Sequence, residues 1–176
     1  MLHNLGGIEH ARGRFTHGEV YARRGLAIPE RALGPDDLGV AFDAGALGAL
    51  LEGQGKLDDA EQAYRRALAI FERRCAPEHF EIAVLCNNLG SLAHARGRTD
   101  DALALYRRAL AINPRLLGRK RPDVPVTLNN LAVLTGEPGR RVEARRLHRR
   151  ALTVFEHAYG PHHRVARACR ANLASV

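Results

Sequence analysis

The sequence predicts an all-α protein built as an α-solenoid, in which antiparallel helix hairpins stack one on the next. Three observations predict it. The heptapeptide YRRALAI occurs at Tyr64–Ile70 and again at Tyr106–Ile112, 42 residues apart. Shifting the whole chain by 42 aligns several independent columns without an insertion or deletion: Gly13, Gly55, Gly97 and Gly139; Leu5, Leu47, Leu89, Leu131 and Leu173; Ile28, Ile70, Ile112 and Val154. Within each period the apolar residues fall at helical spacing, and a glycine separates two such runs. One coincidence of this kind is chance; several columns at one period mean a tandem array.

The third period shows the elements best. In FEIAVLCNNLGSLAHARG, Cys86, Leu89, Gly90 and Ala93 follow the i, i+3, i+4, i+7 spacing of one helix face, which defines helix A. Gly97 stands just past its end, where a left-handed residue terminates a helix. Asp100 and Asp101 open helix B, where acidic groups meet free N–H groups and the positive end of the helix dipole. Ala102, Tyr106, Ala109 and Leu110 then repeat the face spacing. Loops containing Gly or Pro close the periods: ALGPDDL, CAPEHFE, LGRKRPD and YGPHHRV. The units therefore run approximately 1–37, 38–79, 80–121 and 122–163, with a terminal helix over 164–176, all in one array.

Small residues set the packing. Gly90 and Ala109 allow helices A and B to approach, with Leu89 and Tyr106 filling the space beside them. A bulky residue at either small position is expected to cost about 1–3 kcal/mol by overpacking. A single hairpin cannot cover its own apolar faces, so each must stack on a neighbour. Pro29 and Pro114 lie late in helix B and predict a kink, or a stop and restart, because proline removes a helical hydrogen bond. Pro125 falls in a first turn, where proline is tolerated.

These residues resemble the tetratricopeptide repeat family. The second unit carries Leu47-Gly48, Ala60, Tyr64 and Ala67; the third carries Leu89-Gly90, Ala102, Tyr106, Ala109 and Pro114. The fourth is looser, with Leu131-Ala132, Ala144, His148 and Ala151. The first keeps Leu5-Gly6 but has Gly18, Ala22 and Gly25 in place of the usual alanine, aromatic and alanine. The 42-residue period, and segments such as TLNNLAVL, are similar to the long-repeat subtype of kinesin light chains; similar arrays occur in bacterial regulatory proteins. The resemblance implies a right-handed solenoid, non-enzymatic, that binds a protein or peptide segment, acidic in the kinesin light chain case, along its concave helix-A face.

On that face fall Val84, Asn87, Asn88, Ser91 and His94 in the third unit, and Val126, Asn129, Asn130 and Val133 in the fourth. Asparagine both donates and accepts, which suits the alternating N–H and C=O groups of an extended peptide. The resemblance implies that role for Asn87, Asn88, Asn129, Asn130 and Asn172. Gly45 and Ala46 interrupt the pattern in the second unit and make the groove smoother there. The column of Asn4, Asn88, Asn130 and Asn172 reads equally well as structural, its amides bridging helices, since buried amides are normally satisfied by protein groups.

The net charge of +8 and isoelectric point near 10.2 favour acidic partners. Arginine supplies nearly all of it, with lysine only at positions 56 and 120, which is also what a genome-wide codon bias produces. Arg23-Arg24, Arg65-Arg66, Arg107-Arg108 and Arg149-Arg150 make one stripe on the helix B series. A phosphate track, giving a nucleic-acid-binding solenoid, ranks below a solvated outer face. The basic cluster Arg115–Arg121 is a denser basic patch that its loop placement makes equally readable as solubilising, and the histidines His157, His162 and His163 have no Cys or carboxylate at ligand spacing nearby. Catalytic motifs for phosphate loops, serine hydrolases and zinc hydrolases are absent, so no catalytic residue, cofactor or metal is expected. Cys75, Cys86 and Cys169 read as reduced thiols of a cytoplasmic protein. No secretory signal or membrane-spanning run is present. Leu2 and Leu5 open the chain inside a helix A, and the terminal helix reads as a unit cut short. The expectation is a piece of a longer array, a regulatory arm of a larger protein, or an array end covered by self-association.

Overall fold

The computed structural model describes residues 2–112, 123–134 and 141–175, with side chains apart from those at 2–5, 123–125, 141 and 158. Among the described residues the elements are α1 (Leu2–Ala11), α2 (Phe15–Leu33), α3 (Leu38–Gly53), α4 (Leu57–Arg74), α5 (Phe80–Ala95), α6 (Thr99–Ile112), α7 (Asp123–Leu134), α8 (Arg141–Tyr159) and α9 (Arg164–Ser175), and no strand. None of the helices is long and apolar enough to cross a membrane. Gly139, Pro114 and the basic cluster 115–121 lie outside the described residues. The chain divides into two compact units, Met1–Leu92 and Ala93–Val176, the division falling within α5.

The turns explain the period. Three helix-A segments end on a glycine with positive φ: Gly13 at 70°, Gly55 at 75° and Gly97 at 71°. Each makes the same pair of bonds. At Gly55 the glycine N–H donates to Glu52 O (2.9 Å) and the next N–H, of Lys56, reaches back to Leu51 O (3.0 Å). Gly13–Arg14 and Gly97–Arg98 repeat that geometry. It satisfies two carbonyls at the helix end and reverses the chain in two residues, and only glycine adopts this φ without strain.

In the unit Met1–Leu92, α1 packs on α2, α2 on α3, and α3 on both α4 and α1. Helix A of the second repeat is covered on most sides: Val40, Ala41, Ala44, Leu47, Leu50 and Leu51 are all buried. Helix B buries one stripe, Ala60, Tyr64, Ala67, Ile70 and Phe71, and shows charge outside, as an amphipathic outer helix should. At the start of α3 the Asp37 carboxylate accepts from Gly39 N at 2.7 Å, satisfying a free N–H. The N-cap of α4 is Lys56, which makes no side-chain cap; Asp58 and Asp59 in its first turn instead complement the dipole.

Of the kink or stop and restart expected at Pro29, the stop does not occur. Helix α2 runs through Pro29 without stopping. The residue four positions earlier is Gly25, and the helix ends four residues after the proline, so the lost bond falls near a terminus. In the second hairpin the closest approach is not glycine against alanine. The ring of Tyr64 lies directly on Gly48, where an added β-carbon would meet Cδ1 at 2.6 Å. The first repeat lacks an aromatic at Ala22, and Leu50 fills the room: a β-carbon on Gly18 would meet Leu50 Cδ2 at 2.5 Å. Gly18 thus leaves space for the Leu50 side chain, which takes up the room of the ring missing at Ala22.

In the unit Ala93–Val176, α6 packs on α7, α7 on α8, and α8 on α9. Tyr106, Leu128, Leu131, Ala132, Leu147, Ala151, Phe155 and Cys169 form its core.

Candidate partner-binding groove

The helix-A faces of the second and third repeats meet around a cleft of about 350 Å³, bounded by Phe42, Gly45 and Ala46 of α3 and by Glu81, Val84 and Asn88 of α5. Gly45 and Ala46 open it, because their side chains do not project across the gap. Phe71 of α4 forms the floor; it is 1% exposed. Phe42 meets it in a T-shaped contact at 5.1 Å, and the His79 ring stacks on it at 5.3 Å. Phe42 itself is 42% exposed, an apolar ring held at the mouth by an aromatic contact.

Sequence reasoning missed Phe42. The signal was there: the 42-residue shift places Phe42 in register with Val84 and Val126, both of which read as groove positions.

Asn88 sits half-buried at the rim, bound to the second repeat. The Tyr64 hydroxyl donates to Glu52 Oε2 at 2.9 Å and is hydrogen-bonded to Asn88. Burial, reinforced by Glu52, raises the phenol well above its ordinary range, so it stays neutral. Asn88 therefore bridges α5 and α4, which supports the structural reading of its column. Its amide still has capacity for a ligand, since Asn offers two donors and an acceptor with two lone pairs. Asn87 and Ser91 are half-buried on the same helix, and His94 is exposed in its last turn.

In the second unit Asn129, Asn130 and Asn172 are half-buried on α7 and α9. Asn172 Nδ2 donates to Asn129 Oδ1 at 3.2 Å. These two amides, from neighbouring helix-A positions, are thus brought together; they come from different columns of the repeat.

The signature positions are packing residues. Leu47, Leu89 and Leu131 are buried, as are Ala67, Ala109 and Ala151.

The arginine stripe is exposed, apart from half-buried Arg66, and partly paired. Arg23 bonds Glu19 and Arg65 bonds Glu61, each at 2.8 Å one helical turn away. Arg66 reaches Glu30 of α2 at 2.7 Å, linking consecutive B helices. Such pairing weakens a phosphate track and fits a solvated outer face. His157, His162 and His163 are exposed, and the His163 ring stacks on Tyr159 at 4.9 Å. Among the described residues no cluster of three or more metal-binding side chains forms.

The tetratricopeptide repeat model matches residues 1–73 and 80–156. A comparison with curated protein sequences gives no match. Among solved structures, the chain is similar to a Podosopora anserina protein described as a kinesin light chain with nearly identical TPR-like repeats, with a TM-score of 0.78 and 18% identity over 99% of this chain and 82% of that one. It is also similar to BtubC (BKLC) from P. vanneervenii, with a TM-score of 0.78 and 25% identity over 97% of this chain and 68% of that one. The fold is thus the α-solenoid of these arrays. With the repeat matched over most of its length, the chain belongs to the tetratricopeptide repeat family, whose arrays are protein-interaction scaffolds.

Proposed function

We propose that the chain holds a segment of a partner protein along its helix-A face, with an apolar side chain of that segment entering the cleft between α3 and α5. The observation that carries this reading is the mouth of that cleft: Phe42 is exposed beside small Gly45 and Ala46, over a buried Phe71. Burying the aromatic and aliphatic lining against an apolar side chain supplies the affinity, at about 25 cal/mol per Å² removed from water. Asn88 lines the cleft and Asn87 and Ser91 lie on the same helix α5; by themselves, the amides of Asn129, Asn130 and Asn172 on α7 and α9, like His94, are candidate contacts to a peptide backbone. Among the described residues Glu81 is the one ionic group lining the cleft, so apolar fit, rather than the net positive charge, selects the residue that enters it.

The test is affinity capture with mass spectrometry, comparing the wild type with Phe42→Ser and Ala46→Gln. Phe42→Ser removes the ring and Ala46→Gln fills the gap; both lie on an exposed or half-buried face, so circular dichroism should be unchanged. The expected result is a set of captured proteins lost with both variants. Capture undiminished in both, with folding intact, overturns the cleft reading. The amides are tested separately with Asn87→Ala and Asn129→Ala, which should weaken a captured partner about fivefold to tenfold, the equivalent of one hydrogen bond.

A further inference from the structure

His148 occupies the position that Tyr64 holds two repeats earlier, and the difference leaves a gap in the hydrogen bonding. Tyr64 reaches Glu52 and Asn88 through its hydroxyl. The residue in register with Asn88 is Asn172 on α9, and it turns instead to Asn129. His148 is 1% exposed, and its Nδ1 has no hydrogen-bond partner. Its backbone carbonyl accepts from the buried Cys169 thiol of α9 at 3.4 Å, so the histidine lies where α8 supports α9.

We propose that the α8–α9 junction is an acid-released latch, in which protonation of His148 undocks α9 and opens the Asn129–Asn172 pair. An imidazolium has two N–H donors, and a buried charged donor without an acceptor is costly. Among the described residues its Nδ1 meets no acceptor. On α7, packed against α8, the ionisable residue is Asp123 at the first position of the helix. On α9 the groups are cations, Arg164, Arg167 and Arg170, all exposed, and the Cys169 thiol. On α8 itself Glu156 is paired with Arg170, Glu143 lies more than one turn away towards the start of the helix, and Arg145, Arg146, Arg149, Arg150 and His157 are exposed. Burial alone lowers the pKa of His148 below 6.5. The docked state therefore keeps the ring neutral, the released state takes up a proton near the ordinary histidine value, and docking weakens as pH falls below about 6.5.

A second histidine stands at the start of the same helix. His163 Nδ1 accepts from Val165 N at 3.4 Å at the start of α9.

The latch stands independently of what the groove binds. Hydrogen exchange followed by mass spectrometry on the full chain tests it, with protection factors compared at pH 7.5 and 5.5 and the α3–α4 peptides as internal reference. Protection of α9 should fall relative to the reference, by up to about tenfold between pH 6.5 and 5.5, since linkage gives at most tenfold per pH unit per proton. His163→Asn preserves a side-chain acceptor at the start of α9 and should retain the response; His148→Tyr should abolish most of it. Equal protection of α9 at both pH values, or a full response in His148→Tyr, overturns the latch. Should His148→Tyr fail to fold, imidazole NMR of the wild type decides. A His148 midpoint below that of the exposed histidines and coincident with the loss of α9 protection supports the latch, and an ordinary midpoint overturns it.

Discussion

The ring of Tyr64 rests on the bare backbone of Gly48, so close that a β-carbon at residue 48 would stand 2.6 Å from Cδ1 and 2.7 Å from Cε1. Tyr64 is 1% exposed and tethered at its hydroxyl, so the ring cannot swing aside. Gly48→Ala should therefore destabilise the fold. Overpacking costs about 1–3 kcal/mol and outweighs the gain of up to about 1 kcal/mol from better helix propensity. Gly6 is in the same column, opposite Ala22, and a β-carbon there meets nothing nearer than 3.7 Å. Gly6→Ala should stabilise by about 0.5–1 kcal/mol. Urea titrations of the two variants check the opposite signs.

The Glu52–Tyr64–Asn88 chain predicts that Asn88 supports the fold before it binds anything. Tyr64→Phe should cost about 1–2 kcal/mol, since it removes the hydroxyl and strands its partners. Asn88→Ala should cost less, and a double-mutant cycle between them should return a coupling of about 0.5–1 kcal/mol. Additive effects in that cycle would separate Asn88 from the tyrosine.

The repeat was legible because its causes are local. Gly13, Gly55 and Gly97 are needed for one backbone angle, and the buried alanines and leucines recur with the period of the helix, so a single shift of 42 exposes them. Exceptions were harder to read. The sequence shows Gly18 as a departure from the pattern, while its reason, the side chain of Leu50, lies 32 residues on and in another helix. Pro29 suggested a break, yet its place near the end of α2 leaves little helix to lose. On the groove, the amide positions follow from register, but the Asn88–Tyr64 and Asn172–Asn129 bonds depend on which side chain reaches which, and register does not settle that. Phe42 was hidden for a related reason: a phenylalanine in an apolar helix reads as core until its exposure is seen.

Glu19 predicts an acid-sensitive joint at the other end of the chain. Its carboxylate receives Lys56 Nζ at 2.9 Å, Gln54 Nε2 at 2.8 Å and Arg23 Nε at 2.8 Å, tying α2 to the α3–α4 turn. These partners, Lys56 foremost, hold its pKa at about 2 against the opposing effect of burial. A depressed carboxylate contributes stability above its unfolded value of about 4.5 and loses it as pH falls towards 2. Glu19→Gln should cost about 1 kcal/mol at pH 7. The gap between variant and wild type should narrow from pH 4.5 downward and shrink with added salt, as thermal melts across that range would show.

The thiols should separate by reactivity. The nucleophile is the thiolate, and burial, with Glu156 nearby, pushes the Cys169 thiol up to about 11. Cys86 is 0% exposed on α5, whereas Cys75 is half-buried at the C-cap of α4. Brief treatment of the native protein with iodoacetamide at pH 7.5 should alkylate Cys75 first, and Cys86 and Cys169 only when their helices open. Peptide mass spectrometry reads the order. Cys169 also reports on the latch, because it is covered by the contact that acid is expected to break. With a disulfide reagent that works in acid, its labelling should accelerate between pH 7 and pH 5.5, while that of Cys86 should not. Equal acceleration at both would mean that acid loosens the whole chain rather than α9.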